Sequence, residues 1–248
     1  MNLKVAYYTP EEYFLGDRPA KFLMGAFNPR DYLPATRLDN EPETNEIKVV
    51  PAVLPSPEPD VIVFVGSPAS GKSTFFRQHL EPMGYVRINQ DTLKTRDRCV
   101  AEATTFLTDN KHIVIGSSSS PVAPPHTFGT DAFGDNTNPT KATRKIWVDL
   151  AKKFNRSIRC IYFTASPQLA RHNNLVRTLG GYAKVITLFT RPANEQEDRK
   201  LLPMSAIYMF ANRFQEPTLD EGFEQIIKID FQFRGTPQEQ EIWNMWWD

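Results

Sequence analysis

Eight consecutive residues, Gly66-Ser67-Pro68-Ala69-Ser70-Gly71-Lys72-Ser73, follow the short apolar run "VIVFV" and open an amphipathic stretch. This is the G-x-x-x-x-G-K-[ST] spacing in the strand-to-helix context it requires. Gly66 and Gly71 let backbone N–H groups turn inward around phosphate oxygens, and the start of the helix adds its partial positive charge. Lys72 then reaches the β- and γ-phosphates of a nucleotide and the Ser73 hydroxyl faces Mg²⁺, with Ser70 and Thr74 completing the nucleotide-binding set. Asp91 follows the next apolar run, "YVRINQ", and so stands at the carboxyl end of a neighbouring strand. It suits a general base for an attacking hydroxyl, and it suits equally an N-cap for the helix begun by "DTLKT".

Other groups could join the same chemistry. No N-K-x-D guanine-recognition motif occurs, which makes ATP the expected donor. Asp135 and Asn136 could help hold the metal or its waters, or could belong to a turn in which Thr137 or Asn138 caps the helix at Pro139. Arg171 and Arg177 lie on a helix ahead of a long polar stretch through Lys200, where a mobile lid would supply arginines to the transferring phosphoryl group. Solvated arginines are the commoner meaning of such a pattern. His172 reads as a surface or packed histidine.

The elements that must position these residues alternate from Val61 onward. Apolar runs "VIVFVG", "YVRIN", "KHIVIG" and "SIRCIYFTA" are separated by helical stretches, of which "KSTFFRQHLEPMG" is expected to run to Gly84. Further helices are expected in "PTKATRKIWVDLAKKF", "SPQLARHNNLVRTL" and "PMSAIYMFANRF", ahead of the run "FEQIIKIDFQF". Such alternation predicts an α/β P-loop NTPase fold, a mostly parallel sheet with helices on both faces. Residues 117–134, "SSSSPVAPPHTFGTDAFG", have no period and read as a disordered insertion. Residues 1–60 are proline-rich and aperiodic, a tail and linker ahead of the domain at 61–248.

Composition sets the outer bounds. The chain has 248 residues, 40% apolar, enough for one sizeable core with a small appendage. Its 29 basic and 29 acidic residues cancel, so no global positive field marks a nucleic-acid binder, although a local basic groove would not show in the sum. Cys99 and Cys160 lack metal-type spacing and read as packed thiols of a reducing compartment. No window is apolar enough to span a membrane, and the first residues do not form a signal peptide, so a soluble intracellular protein is expected. Trp243, Trp246 and Trp247 read as a cap on a core edge in preference to a base-stacking platform.

The motifs taken together resemble a known family. "GSPASGKSTF", "GYVRINQDTL", "DNTNPTKATR", "TASPQLARHNN" and "FQEPTLDEGFEQI", in this order and spacing, are similar to the kinase domain of the eukaryotic polynucleotide kinase 3′-phosphatases of DNA strand-break repair. "TPEEYFLG" and "FNPRDYLP" resemble the end of that family's phosphatase domain and its linker. The resemblance implies a nuclear enzyme that transfers the γ-phosphate of ATP to the 5′-hydroxyl of DNA. It implies that Lys72 and Ser73 hold the phosphates and Mg²⁺, that Asp91 is the base, and that Asp135 is a metal residue. Arg144, Asn136 and Gln90 would face the DNA, and Arg171 would be the first lid arginine, with Arg177 near the position of a second. Gln90 stands where vertebrate members have arginine, and Leu175 where the second lid arginine is expected; Arg177 is two residues out of register. A D-x-D-G-T phosphatase motif is absent, so no 3′-phosphatase activity is expected of this chain. A metabolite kinase and a truncated remnant that only binds nucleotide or DNA are the competing readings. Repair scaffolds or ligases are conceivable partners that no motif identifies.

Overall fold

The computed structural model describes residues 27–32, 56–89, 93, 95–116, 137–179, 201–233 and 235–244. Five parallel strands form one sheet: β1 (Val61–Val65), β2 (Val86–Asn89), β3 (Ile113–Gly116), β4 (Ile158–Phe163) and β5 (Gln225–Ile229), in the spatial order β2-β3-β1-β4-β5. β1 lies at the centre, paired with β3 from Val61↔Ile113 and with β4 from Val61↔Ile158. All five of its residues are buried, which explains its continuous apolar run: a central parallel strand is covered on both faces. Val61, Val63 and Val65 enter one core layer, while Ile62 and Phe64 enter the other.

Six α-helices accompany the sheet among the described residues: α1 (Lys72–Phe75), α2 (Arg96–Thr108), α3 (Lys141–Lys153), α4 (Pro167–Leu179), α5 (Met204–Arg213) and α6 (Pro237–Trp243). α2 buries Cys99, Ala103 and Leu107 at four-residue intervals, and α3 buries Trp147, Val148, Leu150 and Ala151; both cover the layer of Val61 and Val63. Thr140, not Thr137 or Asn138, caps α3, and Thr143 returns the bond in a capping box. The single long helix expected after the phosphate loop is instead α1, a π turn at Phe76–Leu80 and a 3₁₀ turn at Glu81–Met83, closed by Gly84 at φ 83°. Pro82 has no N–H to continue an α ladder, and the altered winding lets Phe75, Phe76 and Leu80 all enter the second layer.

Several remote pieces are joined to this frame. The 3₁₀ turn Pro29–Tyr32, within the stretch expected to be only a tail, packs Phe27 on His172 and Tyr32 on Phe231, and Phe233 N–H donates to Tyr32 O at 3.1 Å. Trp243 is buried, stacks on Phe231 at 5.6 Å and donates from Nε1 to Asn173 Oδ1 at 2.9 Å, so it caps a core edge. His172 is packed beneath it, with Nε2 2.7 Å from Trp243 O. Both cysteines are free and buried, and burial pushes the Cys160 thiol up to about 12. Among the described residues no helix is long and apolar enough to cross a membrane. The 117–134 insertion, the 33–55 linker, Trp246 and Trp247 lie outside the described residues.

Candidate active site

Ligands of open parallel sheets bind beyond the carboxyl ends of the strands, where connections diverge to opposite faces. Here that point lies between β1, whose chain turns into α1 and the second core layer, and β3, whose chain leads to α3 on the first layer. Gly66 to Ser73 occupy this position. Gly66 has φ 154°, and a Cβ there would come 2.9 Å from Phe163 Cβ and 3.0 Å from Phe163 O. Only a residue without a side chain lets the loop pass so close to β4. Gly71 caps α1 in the left-handed region at φ 95°, and Ala69 shares it at φ 61°.

Lys72 is folded into this loop. Its Nζ donates to Gly66 O at 2.7 Å, to Ser67 O at 2.5 Å and to Ser70 Oγ at 3.2 Å. The loop carbonyls therefore hold the ammonium where phosphate oxygens would otherwise be its partners. Burial first, and then the nearby positive charges of Arg87 and Arg177, lower the Lys72 pKa from 10.5 to about 7. Ser73 Oγ accepts from Arg87 Nη2 at 3.0 Å. Thr74 is exposed in the first turn of α1. Gly66, Ser70, Gly71, Lys72 and Ser73 thus lie together in the one turn that joins β1 to α1.

α4 meets the loop from one side. Asn173 Nδ2 donates to Ala69 O at 3.2 Å, and Arg177, four residues on and so on the same helix face, directs its field at Lys72. Arg177 is steadied by Asn174 Oδ1, at 3.2 Å from Nε and 2.7 Å from Nη2. The fully buried Asn174 amide also bonds Leu202 O and N–H, joining α4 to the chain that leads into α5. Arg171 is exposed and lies about 200° around the helix from Asn173, on a different face. A cavity of about 380 Å³ opens at the ends of β4 and β5, lined among others by Tyr32, Thr164, Ser166, Asp230 and Phe231.

Arg144, expected on a DNA-facing surface, is a correction. It is fully buried: Nε and Nη2 donate to both carboxylate oxygens of Glu221 at 2.7 Å, and Nη1 donates to the carbonyls of Asn138, Pro139 and Gln215 at 3.1, 3.2 and 2.9 Å. A guanidinium so occupied has no edge left for a ligand. It holds the Asn138–Pro139 turn, where Asn138, at φ 49°, donates to Phe64 O at 2.9 Å and accepts from Trp147 Nε1 at 3.2 Å. Its role is to fix that turn against the end of β1. Gln90, Asp91, Asp135 and Asn136 lie outside the described residues. Arg87 was not among the expected site residues; "YVRIN" was expected beside the loop, but in the sheet β3 separates its strand, β2, from β1.

Comparison with known proteins agrees with this frame. A family model described as "AAA domain" matches residues 61–187, just over half of the chain. The "Bifunctional polynucleotide phosphatase/kinase" of Schizosaccharomyces pombe is 31% identical over 247 residues, covering 100% of this chain and 49% of that protein. The "Putative bifunctional polynucleotide phosphatase/kinase" of Acanthamoeba polyphaga mimivirus is 27% identical over 247 residues, covering 98% of this chain and 49% of that protein. The chain spans about half the length of the curated relatives it matches. Among solved structures, Chaetomium thermophilum Kti12 in complex with ADP-AlF3 is 16% identical, covers 74% of this chain and 95% of its own, and has a TM-score of 0.43, an overlap too loose to bear on function. The phosphate loop on a central parallel strand and the family match across it lead to one conclusion: this chain belongs to the AAA domain family, and along its whole length it is similar to about half of each of two proteins named polynucleotide phosphatase/kinases.

Proposed function

We propose that this protein transfers the γ-phosphate of ATP to the 5′-hydroxyl end of DNA. The observation that carries the proposal is the Gly66–Ser73 loop with Lys72 poised in it, in a chain aligned throughout with proteins named polynucleotide phosphatase/kinases. On this reading Lys72 exchanges the carbonyls of Gly66 and Ser67 for the β- and γ-phosphates, while loop N–H groups and the start of α1 face the same oxygens. The cavity at the ends of β4 and β5 receives the nucleoside, one strand away from the loop. Asp91 takes the proton of the attacking 5′-hydroxyl. Arg177 neutralises phosphoryl charge from α4, with Arg171 earlier on the same helix as a second lid arginine, and Gln90 and Asn136 contact the acceptor strand.

Mg²⁺ fits the donor set in one respect: the Ser73 hydroxyl lies in the first turn of α1 and keeps a lone pair beyond the one it offers Arg87. Ser73 and Asp135 would hold the ion, which would supply positive charge to offset that of the nucleotide phosphates. A role at DNA strand breaks in the nucleus, alongside scaffold or ligase partners, follows from the same reading. Incubation with γ-labelled ATP and either 5′-hydroxyl duplex ends or a panel of small alcohols tests it. Label is expected on DNA alone and is expected to vanish in Asp91→Ala; label on a small alcohol instead would make the protein a metabolite kinase.

A further inference from the structure

Arg87 is held in place from three sides. Its Nη2 donates to Ser73 Oγ at 3.0 Å, its guanidinium carbon lies 5.7 Å from the centre of the Phe76 ring, and Gly116 leaves room beside it. A Cβ at Gly116, the last residue of β3, would come 3.1 Å from Arg87 Nε. Long cations on strands ordinarily extend to water; this one is partly buried and turned toward the phosphate loop. Because Ser73 is the second residue of α1, the guanidinium stands one hydrogen bond from whatever the Ser73 hydroxyl touches. It also lies close enough to Lys72 for the two positive charges to repel. Like charges brought together in a concave site raise the energy of the empty protein and lower that of an anion complex. The planar fork of arginine matches phosphate oxygens in a way lysine does not.

We propose that Arg87 is a further phosphate-binding residue of this site, which reaches from the Ser73 hydroxyl to the terminal phosphate of the bound nucleotide and neutralises it from the sheet side, opposite α4. The proposal rests on the nucleotide-binding part of the function proposed above and is independent of the acceptor. Binding of ATP, ADP and AMP to the wild type, Arg87→Gln, Arg87→Lys and Gly116→Ala, measured by calorimetry alongside thermal melting, tests it. In Arg87→Gln, loss of a hydrogen bond to a charged group predicts ATP binding weakened about tenfold to a hundredfold, with AMP affinity unchanged. Arg87→Lys is expected to recover part of the loss. Gly116→Ala, which keeps the charge but displaces the guanidinium, is expected to fall between wild type and Arg87→Gln.

An Arg87→Gln protein that melts normally and keeps the wild-type ratio of ATP to AMP affinity would overturn the assignment. If Arg87→Gln does not fold, wild-type ratios in both Arg87→Lys and Gly116→Ala would do the same. A wild type that binds no ATP would overturn this assignment and the function together. An ATP-selective loss in Arg87→Gln, in a protein that labels no 5′-hydroxyl end, would uphold Arg87 and overturn only the acceptor.

Discussion

At the scale of single residues, Lys72 couples the site to pH. In the empty loop its pKa is lowered to about 7, chiefly by burial and then by Arg87 and Arg177, against 10.5 for an ordinary lysine. Phosphate oxygens favour the ammonium, so ATP binding near pH 8 should take up as much as one proton, and this uptake should fade below about pH 6. Calorimetry in buffers of different ionisation enthalpy reads it directly. The same shift predicts a stability effect. Between about pH 7 and 10.5 the unfolded chain holds a proton on Lys72 that the folded chain lacks, so wild-type stability relative to Lys72→Met should rise with pH through that window. Gly66→Ala is expected to cost about 1–3 kcal/mol in urea denaturation and to weaken ATP binding, because its Cβ meets backbone and Cβ atoms of Phe163 that cannot swing aside. The loop was legible in the sequence because eight contiguous residues carry its geometry. Arg87 was not, since its meaning depends on Gly116 and Phe76, which only the sheet brings to it.

At the scale of elements, the sites depend on joints between segments distant in sequence. Arg144 and Glu221 are 77 residues apart, yet their bidentate pair fastens α3, the Asn138–Pro139 turn and the 3₁₀ turn Leu219–Glu221 together. The expectation that Arg144 faces DNA came from the family resemblance, and no local pattern announces a carboxylate so far away. Removing one partner of a buried pair leaves the other charge uncompensated. Arg144→Ala is therefore expected to lower stability by about 3–5 kcal/mol, and Arg144→Lys should not restore it, since one ammonium cannot serve five acceptors. Urea unfolding of the two variants checks this. The helical pattern of α4 was legible, but which of its arginines faces the loop was not. Asn173 settles that orientation by its bond to Ala69 O, and the choice favours Arg177 over Arg171.

At the scale of the whole molecule, the sheet separates stability from chemistry. Beneath its amino edge, opposite the phosphate loop, the fully buried Asp60 accepts from Tyr85 Oη at 2.7 Å and from Arg159 Nε and Nη2 at 2.9 and 2.6 Å, and lies 2.8 Å from His112 Nδ1. Asp60→Asn should cost about 3–5 kcal/mol of stability while leaving the ATP affinity of the folded protein near the wild-type value. The alternation of apolar runs was enough to predict a parallel sheet, because each strand period is local. The packing of Phe27 and Tyr32 on α4 and on the chain after β5 was not, because a short proline-flanked segment shows no period and gains its place only from distant aromatic partners. The central claim is that this fold serves phosphoryl transfer from ATP to a DNA 5′-hydroxyl, and transfer of γ-labelled phosphate to a 5′-hydroxyl duplex end is its most direct measurement. Labelled DNA is predicted for the wild type, with a loss of about 10²–10⁴-fold in Asp91→Ala; undetectable label from a folded protein that binds ATP, or label undiminished in Asp91→Ala, would contradict it.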